Sequence, residues 1–278
     1  YKRQAVVTIP GDIADEDTAT EAPVLGTLRR APKVPHQETI QELASHINRA
    51  KKVALFVGAG IEGAHDEVVS LAEKAAAPVG HSLRGKDFIQ YDNPFDVGMT
   101  GLLGYGAAAE GIHDADLMIM IGTDFPYDQF LPETTTIQID TDPSVMGRRT
   151  DVDLQIEGSA LETLRALLPL VEYKKDRKWL DRVLKKHDQI MNKAVGAYTR
   201  NVEKHQPIHP EYAASVLDEV AAEDAVFTAD TGMCNVWSAR YIRPNGKRRL
   251  IGSYLHGSMA NAMPQSIGAQ FALSLIHI

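Results

Sequence analysis

One carboxylate of the chain lies where a nucleotide-binding acid is expected. Asp140 comes directly after the apolar run Ile137–Ile139, and the polar segment Gly122–Tyr127 follows a second such run, Leu117–Ile121. Short runs rich in Ile and Met are typical of parallel strands covered by helices on both faces. Beyond the carboxyl end of such a strand, a carboxylate can accept hydrogen bonds from the two hydroxyls of a ribose. Asp140 therefore indicates the adenosine half of a dinucleotide site or, equally, the cap of the turn that follows it.

A glycine motif lies between a predicted strand, Lys52–Val57, and a predicted helix, His65–Ala76. In the G-x-G-x-x-G pattern of Gly58–Gly63, the glycines allow backbone amides to approach a pyrophosphate. The usual NAD-binding form has an acidic residue at the end of the next strand. Here that strand, Pro78–Ser82, is followed by Leu83-Arg84-Gly85-Lys86, which carries cations instead. The nicotinamide arrangement is therefore disfavoured, and the acid appears two strands later.

A second glycine-rich stretch, Asp92–Gly106, is predicted to be a loop that leads into a helix around Ala107–Ile112. Gly101, Gly104 and Gly106 let the backbone pass close to a flat or phosphorylated group. Loops of this length inside a compact domain are usually functional, so a ligand-binding loop is favoured over a plain connection.

The composition narrows the function classes. The chain has 278 residues, 44% of them apolar and 24% charged, and its net charge of −8 argues against a nucleic-acid partner. Cys234 is the only cysteine, which excludes an internal disulfide, and it is interpreted as a spectator thiol. No apolar run approaches the roughly 20 residues that a membrane span needs. His187, His205 and His209 have no ligand-like companions, so no metal site is predicted.

Alternating strands and helices predict an α/β fold: a doubly wound, Rossmann-like parallel sheet, followed by the beginning of a second α/β domain. The chain is predicted to be a fragment cut at both ends, with Ala5–Ile9 as the last strand of a truncated domain and Ser274–Ile278 as a candidate for foreign sequence. The predicted divisions are a truncated domain (1–14), a linker (15–36), a central nucleotide-binding domain (37–172), a linker helix (173–206) and a second truncated domain (207–278).

The second domain repeats the order strand, glycine loop, helix. Ala225–Ala229 is a predicted strand that ends in Asp230-Thr231-Gly232, and Arg248–Gly252 is another that leads into His256–Pro264. The helix Gln265–Ala272 follows, and its N-terminus is a predicted anion site.

Six segments resemble the pyruvate dehydrogenase (quinone) and pyruvate oxidase group of thiamine-diphosphate enzymes. The run His-Gly-Ser-Met-Ala-Asn-Ala-Met-Pro-Gln at 256–265 is long and favours the quinone-linked member over acetolactate synthase. The matching segments are Phe56–His65, Leu83–Lys86, Tyr91–Leu103, Gly122–Tyr127, Asp230–Tyr241 and Gly252–Gln265.

The resemblance implies a truncated pyrimidine-binding domain, a central FAD domain and the start of a thiamine-pyrophosphate-binding domain. It implies the cofactors FAD, thiamine diphosphate and Mg²⁺, with the catalytic Glu and the metal ligands outside this chain. The implied FAD contacts are Thr100, Gly101, Leu102, Leu103, Thr123, Asp124, Phe125, Pro126, Tyr127 and Asp140. The implied thiamine-diphosphate contacts are Gly257, Ser258 and Met259.

The activity implied by the resemblance is the oxidative decarboxylation of pyruvate to acetate and CO₂, with electrons passed through FAD to a membrane quinone. A homotetramer in the cytoplasm, bound peripherally to the inner face of the cell membrane through a further C-terminal segment, is implied as well. The electron acceptor stays open between quinone and oxygen. Two other functions stay open: a carboligase like acetolactate synthase with structural FAD, and a non-catalytic nucleotide-binding module.

Overall fold

The computed structural model of the chain describes residues 8–17 and 31–273, and the chain divides into two units after Ala31. In the first unit, the described residues form one short helix, α1 (Gly11–Ala14), which begins directly after Pro10. The fixed φ of a proline suits the residue before a helix. Residues 5–7 of the predicted strand lie outside the described residues, and Thr8 and Ile9 belong to no strand.

A seven-stranded sheet is the main element of the second unit. Its order is β4-β3-β2-β1-β5-β6-β7, and every neighbouring pair is parallel except the antiparallel pair β3–β4. Because β2 and β5 pair with opposite sides of β1, the sheet has a topological switch point between β1 and β5. The strands are β1 (Val53–Val57), β2 (Val79–His81), β3 (Asp96–Met99), β4 (Tyr105–Gly106), β5 (Leu117–Ile121), β6 (Thr135–Asp140) and β7 (Leu154–Glu157).

Helices cover both faces of this sheet, which confirms the predicted doubly wound fold. Alternate residues of a strand point to opposite faces, so Leu55 of β1 packs in one cluster and Phe56 in another. Helices α2, α3 and α6 contribute buried residues to the Leu55 side, while α5 contributes Ile112 to the Phe56 side. These helices are α2 (Gln37–Arg49), α3 (His65–Ala75), α4 (Lys86–Ile89), α5 (Ala108–His113), α6 (Ala160–Leu167) and α7 (Lys178–Lys193).

A smaller, two-stranded parallel sheet follows α7. It consists of β8 (Val226–Ala229) and β9 (Arg249–Gly252), with α8 (Pro210–Val220), α9 (Met233–Tyr241) and α10 (Ala262–Ala272) around it. The two strands predicted in this part of the chain, Ala225–Ala229 and Arg248–Gly252, are thus present in the structure.

Two stretches differ from the sequence prediction. The glycine-rich segment Asp92–Gly106 contains a hairpin of β3 and β4 rather than a loop throughout, with irregular residues before β3 and at the hairpin tip. Lys33, predicted to lie in a linker, is tied to the sheet: its carbonyl accepts from Ser159 N at 2.9 Å and its ammonium donates to Thr141 O at 3.0 Å. Among the helices of the described residues, none is long and apolar enough to cross a bilayer.

Candidate functional site

The glycine motif Gly58–Gly63 packs against the end of β5 at the switch point. Gly58 N donates to Ile121 O and Gly60 N donates to Gly122 O, both at 3.0 Å. A Cβ atom at Gly60 would lie 2.6 Å from Gly122 Cα, so the two backbones touch. The expectation that these amides approach a pyrophosphate is therefore wrong for Gly58 and Gly60, because both are already bonded and the glycines serve close packing of two strand ends.

The tip of the β3–β4 hairpin lies on an aromatic cluster formed by the segment after β5. Gly101 has a φ of +98°, and a Cβ atom there would lie 2.9 Å from Phe125 Cζ. The Phe125 ring packs edge-on against Phe56 at 4.9 Å and against Tyr127 at 5.5 Å between centroids. Two sets of residues assigned to FAD from the sequence, 100–103 and 123–127, are thus brought together by the fold.

A polar atom at this junction lacks a partner. Thr100 is buried, with 4% of its surface exposed, and its hydroxyl has no hydrogen-bond partner among the described residues. Leu102, two residues further along the tip, is 65% exposed. A buried hydroxyl without a partner is uncommon in native structures and is consistent with a ligand at this point.

Asp124 binds two arginines of the segment after β6. Its carboxylate lies 3.1 Å from Arg148 Nη1 and 3.5 Å from Arg149 Nε. Both arginines line a depression of about 560 Å³ between the segments that follow β5 and β6. The lining residues are Asp128, Gln129, Leu131, Pro132, Glu133, Gly147, Arg148, Arg149, Thr150 and Asp151.

Gln138 is a positioning residue that sequence reasoning missed. It is 3% exposed, its amide nitrogen donates to Thr123 O at 3.1 Å, and its amide oxygen accepts from Gly147 N at 3.0 Å. Gln138 thereby joins the segments after β5 and β6 beneath the depression. A polar residue inside the apolar run Thr-Ile-Gln-Ile-Asp, two positions before Asp140 and so on the same face of the strand, is the signal that could have found it.

Asp140 caps a turn, as one of its two interpretations expects. One carboxylate oxygen accepts from Asp142 N at 3.0 Å. Burial raises the pKa of the Asp140 carboxyl, and the backbone amides of Asp142 and Thr141 act in the opposite direction. A carboxylate offers roughly four acceptor positions, so the turn leaves capacity for the hydroxyls of a ribose.

The N-terminus of α10 is already occupied by a carboxylate. Asp230, directly after β8, accepts from Ala262 N at 2.9 Å and from Asn261 Nδ2 at 3.1 Å. An aspartate at this position satisfies one free amide of the first turn, and its charge interacts favourably with the helix dipole. At the predicted anion site, the amide of Ala262 is therefore bonded to a carboxylate of the chain itself.

The three residues assigned to thiamine diphosphate follow a tight turn after β9. Gly257 N donates to Ser253 O at 2.7 Å, and Ser258 N donates to Ser253 Oγ at 3.1 Å. Gly257 has a φ of +63°, and Met259 is 82% exposed. The hydroxyl of Thr231, whose methyl group would lie 3.7 Å from a Cβ at Gly257, is buried without a partner in the described part of the chain. These residues lie in the loop that follows β9 of the two-stranded sheet.

Residues 8–17 and 31–273 contain no cluster of three or more His, Cys, Asp or Glu side chains suited to a metal ion.

Comparison with known protein families identifies both parts of the second unit. Residues 40–167 match the thiamine pyrophosphate enzyme central domain, and residues 230–277 match the thiamine pyrophosphate enzyme C-terminal TPP-binding domain. The chain therefore belongs to the thiamine pyrophosphate enzyme family.

Relatives from several bacteria support this assignment. The chain is 43% identical over 183 residues to an uncharacterised 42.6 kDa protein from Pseudomonas amyloderamosa, covering 65% of the chain and 46% of that protein. It is 33% identical to YdaP of Bacillus subtilis, described as a thiamine pyrophosphate-containing protein (86% of the chain, 41% of YdaP). It is 30% identical to an acetolactate synthase of Mycobacterium bovis (86% of the chain, 40% of the synthase). The chain thus spans less than half the length of these relatives.

Solved structures confirm the fold. A Mycobacterium smegmatis protein described as a thiamin diphosphate-dependent enzyme superposes with a TM-score of 0.70 at 21% identity, over 94% of this chain and 50% of that one.

Proposed function

We propose that the protein to which this chain belongs oxidatively decarboxylates pyruvate to acetate and CO₂ and passes the electrons through FAD to a quinone. In this proposal residues 37–172 are an FAD domain and residues 207–278 begin the thiamine-pyrophosphate-binding domain. The protein acts as a homotetramer in the cytoplasm, attached peripherally to the inner face of the membrane. The resemblance at 256–265 supports the quinone-linked member of the family.

The observation that carries the FAD assignment is the meeting of the hairpin tip with the segment after β5. The unpartnered Thr100 hydroxyl lies there, and the Gly101 backbone rests on Phe125 in a conformation that other residues rarely adopt. These features fit a flat cofactor. Thr100–Leu103 and Thr123–Tyr127 would hold the flavin part, and Asp140 would hold the ribose.

The loop after β9 fits thiamine diphosphate. The unpartnered Thr231 hydroxyl lies beside Gly257, and the exposed Ser258 and Met259 are free to contact a ligand. Thiamine diphosphate, when bound, supplies the carbon nucleophile that adds to a 2-oxo acid, and FAD supplies a two-electron acceptor. The residues of this chain would bind and orient the cofactors, and Met259 would support the thiamine from one side.

A second function, a carboligase of the acetolactate synthase kind with structural FAD, is favoured by the 30% identity to an acetolactate synthase. The complete protein distinguishes the two. Pyruvate-dependent reduction of a soluble quinone analogue supports the proposal, whereas acetolactate formation without quinone reduction supports the carboligase. If pyruvate is oxidised equally fast with oxygen as the sole electron acceptor, oxygen takes the place of the quinone in the proposal.

FAD binding is tested on the 278-residue chain itself. Asp140→Ala removes a charged hydrogen-bond acceptor, which costs on the order of 1.5–3 kcal/mol. The FAD dissociation constant, measured by flavin fluorescence, should therefore rise roughly 10- to 150-fold. Asp140→Asn keeps an oxygen that can accept from the Asp142 amide but removes the charge. Comparing it with Asp140→Ala therefore distinguishes the effect of losing the charge from the effect of losing the turn.

Asp116→Ala is the matched control. Its carboxylate also accepts two backbone amides, from Lys51 at 3.0 Å and Lys52 at 2.8 Å, but it precedes β5 at the opposite end of the sheet. FAD affinity should not change in this variant. An unchanged dissociation constant in Asp140→Ala would remove Asp140 from the site, and a wild-type chain that binds no FAD would refute the FAD domain.

A further inference from the structure

A small cleft lies between the turn after β2 and the loop after β9. Its volume is about 260 Å³. Pockets for drug-sized ligands measure roughly 300–1,000 Å³, so this cleft suits a molecule of only a few heavy atoms. One wall is Arg84, and the opposite wall is formed by Gly252, Ser253, Tyr254, Leu255 and His256.

Arg84 brings an uncompensated positive charge to the cleft. In the described part of the chain, its guanidinium makes no ion pair, hydrogen bond or aromatic contact. The neighbouring carboxylate, Asp87, is already engaged: it lies 3.4 Å from Arg249 Nε and accepts from Leu250 N at 2.8 Å. Arg84 stands in the segment after β2, where the NAD-binding pattern would have a ribose-binding acid. The structure leaves this cation free to bind an anion.

Tyr254 adds a hydrogen-bond donor on the opposite wall. Its hydroxyl is buried and has no hydrogen-bond partner among residues 8–17 and 31–273. Burial raises the pKa of this phenol, with a smaller contribution from the charge of Asp87, so the hydroxyl keeps its proton at neutral pH. A buried donor without an acceptor is costly unless a ligand supplies one.

Both walls are held in place. Gly85 N donates to Ser82 Oγ at 3.3 Å, and a Cβ at Gly85 would lie 2.8 Å from Val57 O, so the turn that carries Arg84 is pressed onto the end of β1. On the other side, the Ser253 carbonyl accepts from Gly257 N at 2.7 Å. The cleft is therefore formed before any ligand arrives, which lowers the entropic cost of binding.

We propose that this cleft binds a small carboxylate, whose oxygens are held by the Arg84 guanidinium and the Tyr254 hydroxyl. The planar guanidinium matches a carboxylate in a bidentate arrangement. This inference rests on the proposed function, in which the acid is the 2-oxo acid substrate. The loop that forms the Tyr254 wall continues directly into Gly257–Met259, so the carboxylate is bound beside the residues assigned to thiamine diphosphate.

Pyruvate binding to the 278-residue chain tests the proposal. Saturation-transfer NMR on the pyruvate methyl group gives the dissociation constant, and methyl pyruvate serves as the neutral probe. Arg84→Gln should weaken pyruvate binding by about 10- to 100-fold, because a charged hydrogen bond is lost. Tyr254→Phe should weaken it less, and Arg84→Lys should recover part of the affinity without the bidentate geometry. Methyl pyruvate should bind weakly to every variant.

Arg182→Gln is the control, since Arg182 is an exposed arginine on α7 that pairs with Asp114. Its pyruvate affinity should equal that of the wild type, and urea unfolding of each variant checks that the fold is intact. The proposal would be overturned by wild-type binding of methyl pyruvate as tight as that of pyruvate, by unchanged pyruvate affinity in Arg84→Gln, or by inorganic phosphate binding more tightly than pyruvate.

FAD binding, measured on the same samples, separates this inference from the proposed function. Arg84→Gln should leave the FAD dissociation constant unchanged. If the wild type binds pyruvate through Arg84 but binds no FAD, the flavin assignment fails and the carboxylate site stands. If it binds FAD normally but shows no pyruvate binding, the carboxylate site fails and the flavin assignment stands.

Discussion

Lys86 is a charged side chain that is buried near the β3–β4 hairpin. It is 2% exposed, donates to the side-chain oxygen of Gln90 and lies 6.0 Å from the centre of the Tyr105 ring. Gln90 Nε2 in turn donates to the Tyr105 hydroxyl at 2.8 Å and to Asp96 at 3.2 Å. Burial lowers the pKa of Lys86 from 10.5 to about 8. The charged form of Lys86 is therefore less stable in the folded protein than in the unfolded chain.

The stability of the chain should depend on pH through this group. Between about pH 8 and pH 10.5 the folded state loses the proton of Lys86 before the unfolded state does, so the free energy of unfolding rises with pH. The Lys86 contribution from pH 7 to pH 10 should be about 2.5 kcal/mol. Lys86→Met should remove this rise, which urea denaturation across that range measures.

Lys185→Met, at an exposed position of α7, is the control for Lys86 and should follow the wild-type pH profile. Titrations shared by all three proteins cancel in the differences between them. Parallel profiles for the wild type and Lys86→Met would show that Lys86 keeps an ordinary pKa in the folded chain.

Single residues were predicted well where strand ends determine their place, and poorly where a partner determines it. Asp140 is the last residue of β6, so its position could be predicted from the apolar pattern of the strand. Gln138, by contrast, acts by joining Thr123 to Gly147, and nothing near it in the sequence names those partners. The two arginines on Asp124 were missed for the same reason.

The turn after β1 shows how a motif can be recognised and its use misjudged. A G-x-G-x-x-G between strand and helix predicted the local structure correctly, and α3 does follow it. Its amides bond to β5, however, and the pairing of β1 with β5 joins segments about 60 residues apart in the chain. Whether a glycine faces a ligand or a neighbouring backbone depends on that pairing, which the motif does not contain.

Gly60→Ala should destabilise the fold. The added Cβ would meet Gly122 Cα at 2.6 Å and Gly122 O at 3.0 Å, and both atoms are backbone, so the ends of β1 and β5 must separate. Overpacking of this kind costs about 1–3 kcal/mol. Urea unfolding monitored by circular dichroism measures the change in the free energy of unfolding.

Gly268→Ala should have the opposite effect on stability to Gly60→Ala. Gly268 lies in α10, with nothing within 4 Å of its Cβ position, so alanine should stabilise the helix by about 0.5–1 kcal/mol. A Gly60→Ala variant as stable as the wild type would mean that the two strand ends are not in close contact.

Regular elements were more predictable than the hairpin. The inner strands and amphipathic helices were placed within a few residues, as for Pro78–Ser82 against the observed β2, because apolar periodicity marks them. Strands β3 and β4 have only four and two residues, and both contain a glycine of positive φ, so no alternation could reveal them.

The two sheets lie in the same compact unit of the structure. Polar contacts join them: Asp87 binds Arg249 and the Leu250 amide, and Arg240 Nη2 donates to Gly104 O at 3.2 Å. Apolar residues on both sides, Met99 and Tyr241 among them, share one cluster. These pairs are more than a hundred residues apart in sequence, so no local pattern could predict them.

The contacts between the two sheets should make the wild type unfold in a single transition. In Asp87→Ala we expect two separate transitions. Trp179 on α7 packs against the larger sheet, and Trp237 lies on α9, which packs against β8 of the smaller sheet. Trp237→Phe and Trp179→Phe backgrounds therefore each leave one fluorescent probe. Removing the Asp87 carboxylate leaves Leu250 N without its acceptor, which costs about 1–3 kcal/mol.

The Trp237 transition should therefore move to lower urea concentration than the Trp179 transition in Asp87→Ala, while the two coincide in the wild type. Asp66→Ala, which removes a carboxylate that is 96% exposed, should leave both transitions in place. Asp87→Asn retains an acceptor for Leu250 N but lacks the charge. If its two transitions are less separated than those of Asp87→Ala, the hydrogen bond contributes to the coupling between the sheets as well as the charge. If Asp87→Ala moves both probes equally, the two sheets fold as one cooperative body through their apolar contacts, and the polar junction does not couple them.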